Sequence, residues 1–576
     1  MDQKLTRYTT ADAMLEALQE TGISYLFSNL GSDHPSVIEG LAKAKAQDQP
    51  LPKVIICPHE YVALSAAIGH YLLSGEAQGV FVHTDVGTQN LGGSLHNATR
   101  SRAPVFIFSG ETPSTMEGEL PGSRNSHINY LQNVYDQRGI VRSYVKWEYD
   151  IRTGRNVKQL VYRAMQLANS EPKGPVYLTG AREVLEEEVT PSENKADKWN
   201  PTKPLPLSSD GVEQIASALA NADNPVIITS YLGRRYESVD LLVQLCEKLA
   251  VPVVESNASH MNFPTDHPLH MGFQAGELLA DADVVLVIDS DVPWIPSMSR
   301  PEEDCRLFYV DTDPLKEDIP LAYTPAEALY QADSHEALVQ LNEYMERVDL
   351  DEGRLTERFG RIEKMHEKQR NEWKHNEKCP DDKVITPEWL SVCLRNTIDD
   401  DTIILDETIT NSMSVSKHIP RSKPGTRFVN GGSSLGWNGG AALGAKLAKP
   451  EKTIVSLTGD GSYLFSVPSS VHWMSRRYQA PFLTVIYNNQ GWNATKNNLL
   501  KLYPDGIAQQ NDSYWVNFDQ PADLSKVAEA AGGALAVSVS DPEKLEDTLR
   551  RCLDAVNSGQ SAVIDVKIAQ ISNQKD

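Results

Sequence analysis

The chain has 576 residues, 40% of them hydrophobic and 23% charged. This is ordinary for a soluble globular protein of about three or four domains, and it excludes a disordered, collagen-like or coiled-coil chain. Lysine and arginine total 54 against 78 aspartates and glutamates, a net charge of 54 − 78 = −24, which repels phosphate backbones and anionic membranes and makes nucleic acid a poor partner.

In chain order, the first twenty residues begin like an amphipathic helix without a signal h-region. No apolar run reaches the length of a membrane span, so a cytoplasmic protein with no membrane partner is expected. The first block, 1–189, alternates helical stretches with apolar runs at 54–57, 79–83, 104–110 and 175–180. Such alternation predicts a parallel α/β sheet. Residues 186–210 are polar and proline-bearing and predict a linker. The second block, 205–345, repeats the pattern with runs at 224–230, 251–256, 282–290 and 306–313. Residues 351–383 are densely charged, which predicts an exposed helix leading to another linker. The third block, 380–576, has runs at 402–407, 452–461, 481–489 and 562–568. The expected fold class is α/β, with three domains that are each a parallel sheet flanked by helices. Blocks one and three are candidates for distant structural copies. Cysteines at 57, 246, 305, 379, 393 and 552 form no CxxC pair, the pattern of ordinary thiols in a reducing compartment.

The most informative segment is Gly459-Asp460-Gly461-Ser462, which closes the apolar run TIVSLT. A small-residue turn there, ahead of a helix, offers backbone N–H groups to a phosphate. Asp460 offers a carboxylate to a hard cation, and Mg²⁺ favours one or two protein oxygens plus phosphate oxygens. A second apolar run ends at Asn488-Asn489, one strand–helix–strand crossover later, 489 − 460 = 29 residues from Asp460. Two such strands end side by side at the carboxyl edge, where open α/β sheets bind ligands. A purely structural turn is the alternative. Glu60 follows the run 54–57 and opens a helix, either as a capping or dipole partner or as a carboxylate for a ligand. The stretch VNGGSSLGWNGGAALGAKLA (429–448) is a Gly/Ser-rich approach to a small-residue helix, which by itself implies tight helix packing. HExxH, GxGxxG after a strand and the P-loop pattern are all missing from the sequence.

GDGS followed by NN one crossover later resembles the cofactor motif of thiamine diphosphate enzymes, although the spacing is about two residues longer, as if by a small insertion before Pro481. The resemblance covers essentially the whole chain and points to the acetolactate synthase, benzoylformate decarboxylase and pyruvate decarboxylase group. It implies Mg²⁺ held by Asp460, Asn489 and the carbonyl of Gly491, with Gly461 and Ser462 at the diphosphate. It implies that Glu60 hydrogen-bonds the aminopyrimidine ring and drives it to the imino form. Leu435 is implied to prop the cofactor into its bent shape beside Ser433, a proximity effect. The first block is most similar to benzoylformate decarboxylase, which implies an active-site serine at Ser32 and an active-site histidine at His83, a proton shuttle near neutral pH. A structural hydrogen bond is the alternative for His83. Gln132 and Lys146 sit where synthase-like relatives carry polar site residues, but Lys146 is read as a solvated surface residue.

There are two departures. Residues 288–299, where benzoylformate decarboxylase contributes another histidine, hold proline and tryptophan, and no aspartate–arginine element of the acetolactate synthase kind appears. The expectation is a thiamine diphosphate- and Mg²⁺-dependent 2-oxo acid decarboxylase or carboligase, with an aldehyde or second oxo acid as acceptor. An acetolactate synthase-type transferase is one alternative. A catalytically weak cofactor-binding regulatory paralogue is another. Flavin is not expected, although 266–273 resembles a segment near the flavin site of some relatives. A homodimer or homotetramer is implied, with Glu60 of one chain facing the diphosphate block of another.

Overall fold

A computed structural model describes residues 7–323, 325–518 and 522–570. The outermost residues of the first and third predicted blocks, 1–6 and 571–576, lie outside these. The described residues form three wholly parallel sheets of six, five and six strands, each flanked by helices, as the alternating pattern predicts.

The first sheet runs, from edge to edge, Lys53–Ile56, Tyr25–Ser28, Gln78–Val82, Val105–Glu111, Val176–Ala181 and Trp147–Ile151. The last sheet runs Arg427–Val429, Ile403–Glu407, Ile454–Gly459, Leu483–Asn488, Ala562–Lys567 and Leu535–Val539. Numbered within its own domain, each sheet has the order 2-1-3-4-6-5, so the two are topological copies. The central sheet has the order 5-4-3-1-2, a doubly wound arrangement whose switch point lies between Pro225–Thr229 and Val284–Ile288.

The copies meet along two helices, Glu60–Ser74 and Trp437–Ala448, that follow equivalent strands. Small residues allow the contact. A β-carbon on Gly444 would lie 1.9 Å from the Ala66 carbonyl oxygen. One apolar cluster passes through this seam and joins Val62, Ala63, Ala66 and Leu95 to Phe428, Trp437 and Ala441. Burial of this shared surface couples the stability of the two copies.

The charged stretch forms one helix, Glu352–His375, but it is not simply exposed. Leu355, Arg358, Ile362 and His366 are buried on one face, and the Arg358 guanidinium donates to the Ala222 carbonyl at 2.7 Å. Long charged side chains bury their stems while their heads find carbonyl ends, which a reading by charge alone overlooks. Sequence reading also passes over the edge strands Trp147–Ile151 and Arg427–Val429, which lack an uninterrupted apolar run.

Candidate active site

The segment around Asp460 folds as its spacing predicts. Ile454–Gly459 pairs in parallel with Leu483–Asn488, and Gly459 stands opposite Tyr487. Asp460 therefore starts its helix beside the end of the neighbouring strand. Its two carboxylate oxygens accept from Gly461 N at 2.9 Å and Gly491 N at 3.0 Å. Burial pushes this carboxyl up to about 6, against the pull of those backbone donors. Asn489 is 8% exposed, and its Nδ2 donates to Thr410 Oγ1 at 3.5 Å. The Asn489 Oδ1 and the Ser462 hydroxyl are buried without a partner. A desolvated carboxylate beside orphaned oxygen acceptors is the environment a hard cation with phosphate oxygens would satisfy. The donor set fits Mg²⁺ and a diphosphate. Gly491 is held by an antiparallel bridge to Asn517, and its carbonyl accepts from Asn493 N at 3.1 Å.

The loop carrying Ser433 and Leu435 is tied down on both sides. His96 Nε2 and the Ser433 hydroxyl lie 3.1 Å apart, Asn97 Nδ2 donates to the Ser434 carbonyl at 2.9 Å, and Tyr61 donates to the Leu435 carbonyl at 2.6 Å. Glu407, at the end of Ile403–Glu407, accepts from the backbone N–H groups of Gly436, Trp437 and Asn438 at 3.0, 3.3 and 3.1 Å. A carboxylate at a helix N-terminus satisfies donors that the helix leaves open. Glu407 was not among the sequence-predicted residues, because its partners are 29 or more positions away.

On the equivalent edge of the first sheet, Glu60 opens its helix and is 8% exposed. It does not cap that helix. His59 does so, accepting from Tyr61 N at 3.2 Å. Glu60 Oε2 instead accepts from Asn90 Nδ2 at 3.1 Å, and a β-carbon on Gly87 would come within 3.2 Å of its Oε1. His83 is the residue before the helix Thr84–Arg100. Its Nδ1 bonds the Asp33 carboxylate and its Nε2 lies 3.1 Å from Gln132 Nε2. The Asp33 hydrogen bond raises the His83 pKa and outweighs burial. Burial alone would raise Asp33, but His34 and His83 beside it hold it well below the usual carboxylate range. Ser32 is exposed next to this pair, and its carbonyl accepts from Arg182 at 3.2 Å.

The structure thus groups Ser32, His83 and Gln132 with Asp33, and Asp460, Gly461, Ser462, Asn489 and Gly491 with one another, on equivalent edges of the two sister sheets. Asn90 and Asp33 escape sequence reading because their partners lie 30 and 50 residues away. Lys146 does not join either group. Its ammonium donates to the Leu167 and Ser170 carbonyls, both at 2.7 Å. In the central domain, Arg102 from the first block pairs with Asp291 at 2.9 Å over the Tyr231 ring.

Two sister α/β domains with polar clusters at their carboxyl edges, one suited to a cation and a diphosphate, define a cofactor-dependent enzyme architecture. Comparison with known families agrees. Residues 8–140 match the N-terminal TPP binding domain of thiamine pyrophosphate enzymes, 212–341 the central domain, and 409–566 the C-terminal TPP binding domain. The chain belongs to the thiamine pyrophosphate enzyme family. It is 25% identical to an acetolactate synthase of Bacillus subtilis, over 99% of this chain and 95% of that one. It is also 25% identical to a benzoylformate decarboxylase of Pseudomonas aeruginosa, over 95% of this chain and 97% of that one. Among solved structures, a thiamine diphosphate-dependent 4-hydroxybenzoylformate decarboxylase of Rhodococcus jostii shares the fold, with TM-score 0.79, 21% identity and coverage of 98% and 100%.

Proposed function

We propose that this enzyme is a thiamine diphosphate- and Mg²⁺-dependent 2-oxo acid decarboxylase or carboligase. The observation that carries the reading is a buried Asp460 carboxylate at the same sheet edge as the orphaned Asn489 and Ser462 oxygens, with Glu60 and His83 both following strands at the equivalent edge of the sister sheet. Asp460, Asn489 and the Gly491 carbonyl hold the metal; Gly461 and Ser462 hold the diphosphate. Leu435 supports the bend of the cofactor, in a loop fixed by Glu407 and Tyr61. When bound, thiamine diphosphate supplies the electron sink for loss of CO₂. Glu60 holds a proton at the pyrimidine ring. His83, beside Ser32 and Gln132, moves a proton at the substrate end. A proton-transferring histidine with fixed partners supports the decarboxylase outcome.

We infer that a second copy completes the site. Leu131, Leu502, Ile507 and Trp515 are 76%, 74%, 75% and 90% exposed, and all stand on segments flanking the two edges. Large apolar side chains this exposed are ones that a second copy would cover. A C2 dimer would bring the Glu60 edge of one chain to the Asp460 edge of the other, giving two equal sites. All six cysteines are free thiols, which supports a reducing, cytoplasmic setting. No helix among the described residues is long and apolar enough to cross a membrane.

The test is a panel of 2-oxo acids, aliphatic and aromatic, incubated with and without acceptor aldehydes. CO₂ release with an aldehyde or hydroxyketone product is expected for at least one. Release of CO₂ from none of them, by protein loaded with Mg²⁺ and thiamine diphosphate, would overturn the reading.

A further inference from the structure

We propose that Asp33 is the positioning residue for His83: it pins the ring proton on Nδ1 and leaves Nε2 as the nitrogen that takes and gives a proton. The proposal rests on the reading of His83 as the proton-transferring group of the 2-oxo acid site.

The two residues rise from neighbouring strands. Tyr25–Ser28 and Gln78–Val82 pair in parallel, with Ser28 opposite Phe81. Asp33 is 3% exposed, and its Oδ1 bonds His83 Nδ1. Its other oxygen, Oδ2, is buried without a partner. It is pressed against Gly110, where a β-carbon would lie 1.8 Å away. Gly31 makes room on the other side, since a β-carbon there would lie 2.1 Å from His83 Nδ1. The backbone is therefore shaped around this contact, and the hydrogen bond of the carboxylate goes to His83.

The other charged or titratable groups nearby are accounted for. His34 Nδ1 lies 2.9 Å from the same Asp33 oxygen and 3.1 Å from Gly31 N, and its Nε2 is buried without a partner, so His34 stands behind the carboxylate while His83 faces the site. Arg182 reaches the Ser32 carbonyl, and Asp85, at the start of the His83 helix, adds to the pull on His83.

At the far nitrogen, the Gln132 amide donates to His83 Nε2 while its own Oε1 is buried without a partner. Turning that carboxamide by half a turn exchanges donor for acceptor in the same space. Gln132 can thus serve neutral His83 as a donor and protonated His83 as an acceptor. When Nε2 takes a proton from a substrate group, the Nδ1 proton stays, the ring gains one positive charge, and the Asp33 carboxylate offsets it. Giving the proton back reverses each change.

The test uses the full-length holoenzyme with histidine labelled by ¹⁵N and ¹³Cε1, and His83→Ala to assign the signal. In the wild type, neutral His83 should carry its hydrogen on Nδ1. In Asp33→Asn, the hydrogen should distribute between both nitrogens, and His83 should lose its proton at lower pH. Turnover should fall by about tenfold to a hundredfold with little change in KM, and the matching limb of the pH–rate profile should move with the His83 ionisation. A merely structural Asp33 would lower the melting temperature of the variant without moving that ionisation, and this result would overturn the proposal. Should Asp33→Asn fail to fold, a wild-type His83 with its hydrogen on Nε2 overturns it equally. Full turnover by His83→Ala would instead overturn the role given to His83, whatever its tautomer.

Discussion

Gly69 and Ala441 come so close that a β-carbon on the glycine would lie 2.1 Å from the Ala441 carbonyl oxygen. This contact sits on the seam between the two sister domains, each of which carries one of the two polar carboxyl edges. The seam fixes how the helix led by Glu60 lies against the helix that follows Leu435. Closeness of this order is available only to small residues, which explains the Gly/Ala run in both helices.

Gly444→Ala tests the seam. On an isolated helix the change would stabilise by about 1 kcal/mol. Here the methyl would meet the Ala66 carbonyl oxygen at 1.9 Å. Overpacking of this kind is expected to cost about 3 kcal/mol, read as a lower urea midpoint. An unchanged or higher midpoint would show that the helices are not in contact as described.

Asp460→Ala tests the cation site. With no carboxylate beside Asn489 and Gly491, Mg²⁺-dependent binding of thiamine diphosphate should be lost in calorimetry, while far-ultraviolet circular dichroism stays unchanged. Equal affinity in the variant would remove Asp460 from the metal site.

Buried histidines set the response to acid. Burial lowers His472, stacked on Phe482, to about 4. The unfolded chain takes up a proton near pH 6.5, whereas the folded chain does not until about pH 4. The histidine is therefore harmless above pH 6.5, and stability is lost as pH falls from there to about 4. His472→Phe should flatten that loss by about 3 kcal/mol at most. Chemical denaturation at pH 7 and pH 4.5 measures the difference. Equal acid sensitivity of the two proteins would count against a buried neutral His472.

Much of this was legible in the sequence, and the reason is local. Asp460 and Asn489 sit at the ends of apolar strands one crossover apart, so their spacing alone brings them together. The place of Glu60 as the first helical residue after a strand is legible in the same way, whereas a role for it at the cofactor comes only from the family resemblance. What was not legible depends on contacts between distant segments. Asp33 beside His83, Asn90 on Glu60 and Glu407 under the Leu435 loop are such pairs. The buried face of Glu352–His375 was hidden because an arginine and a histidine share it with two aliphatic residues. Lys146 reads from the sequence as a solvated surface residue, and its tie to two carbonyls of the first domain is beyond sequence reading.

The central claim is that Glu60 acts on the cofactor rather than on its own helix. The most direct measurement is the exchange of the C2 hydrogen of bound thiamine diphosphate with deuterium, in wild type and in Glu60→Gln. Glutamine keeps the size of the side chain and can still meet Asn90, so the fold and cofactor binding should survive. Exchange should slow by about a hundredfold or more. Exchange close to the wild-type rate, with cofactor bound, would contradict the account.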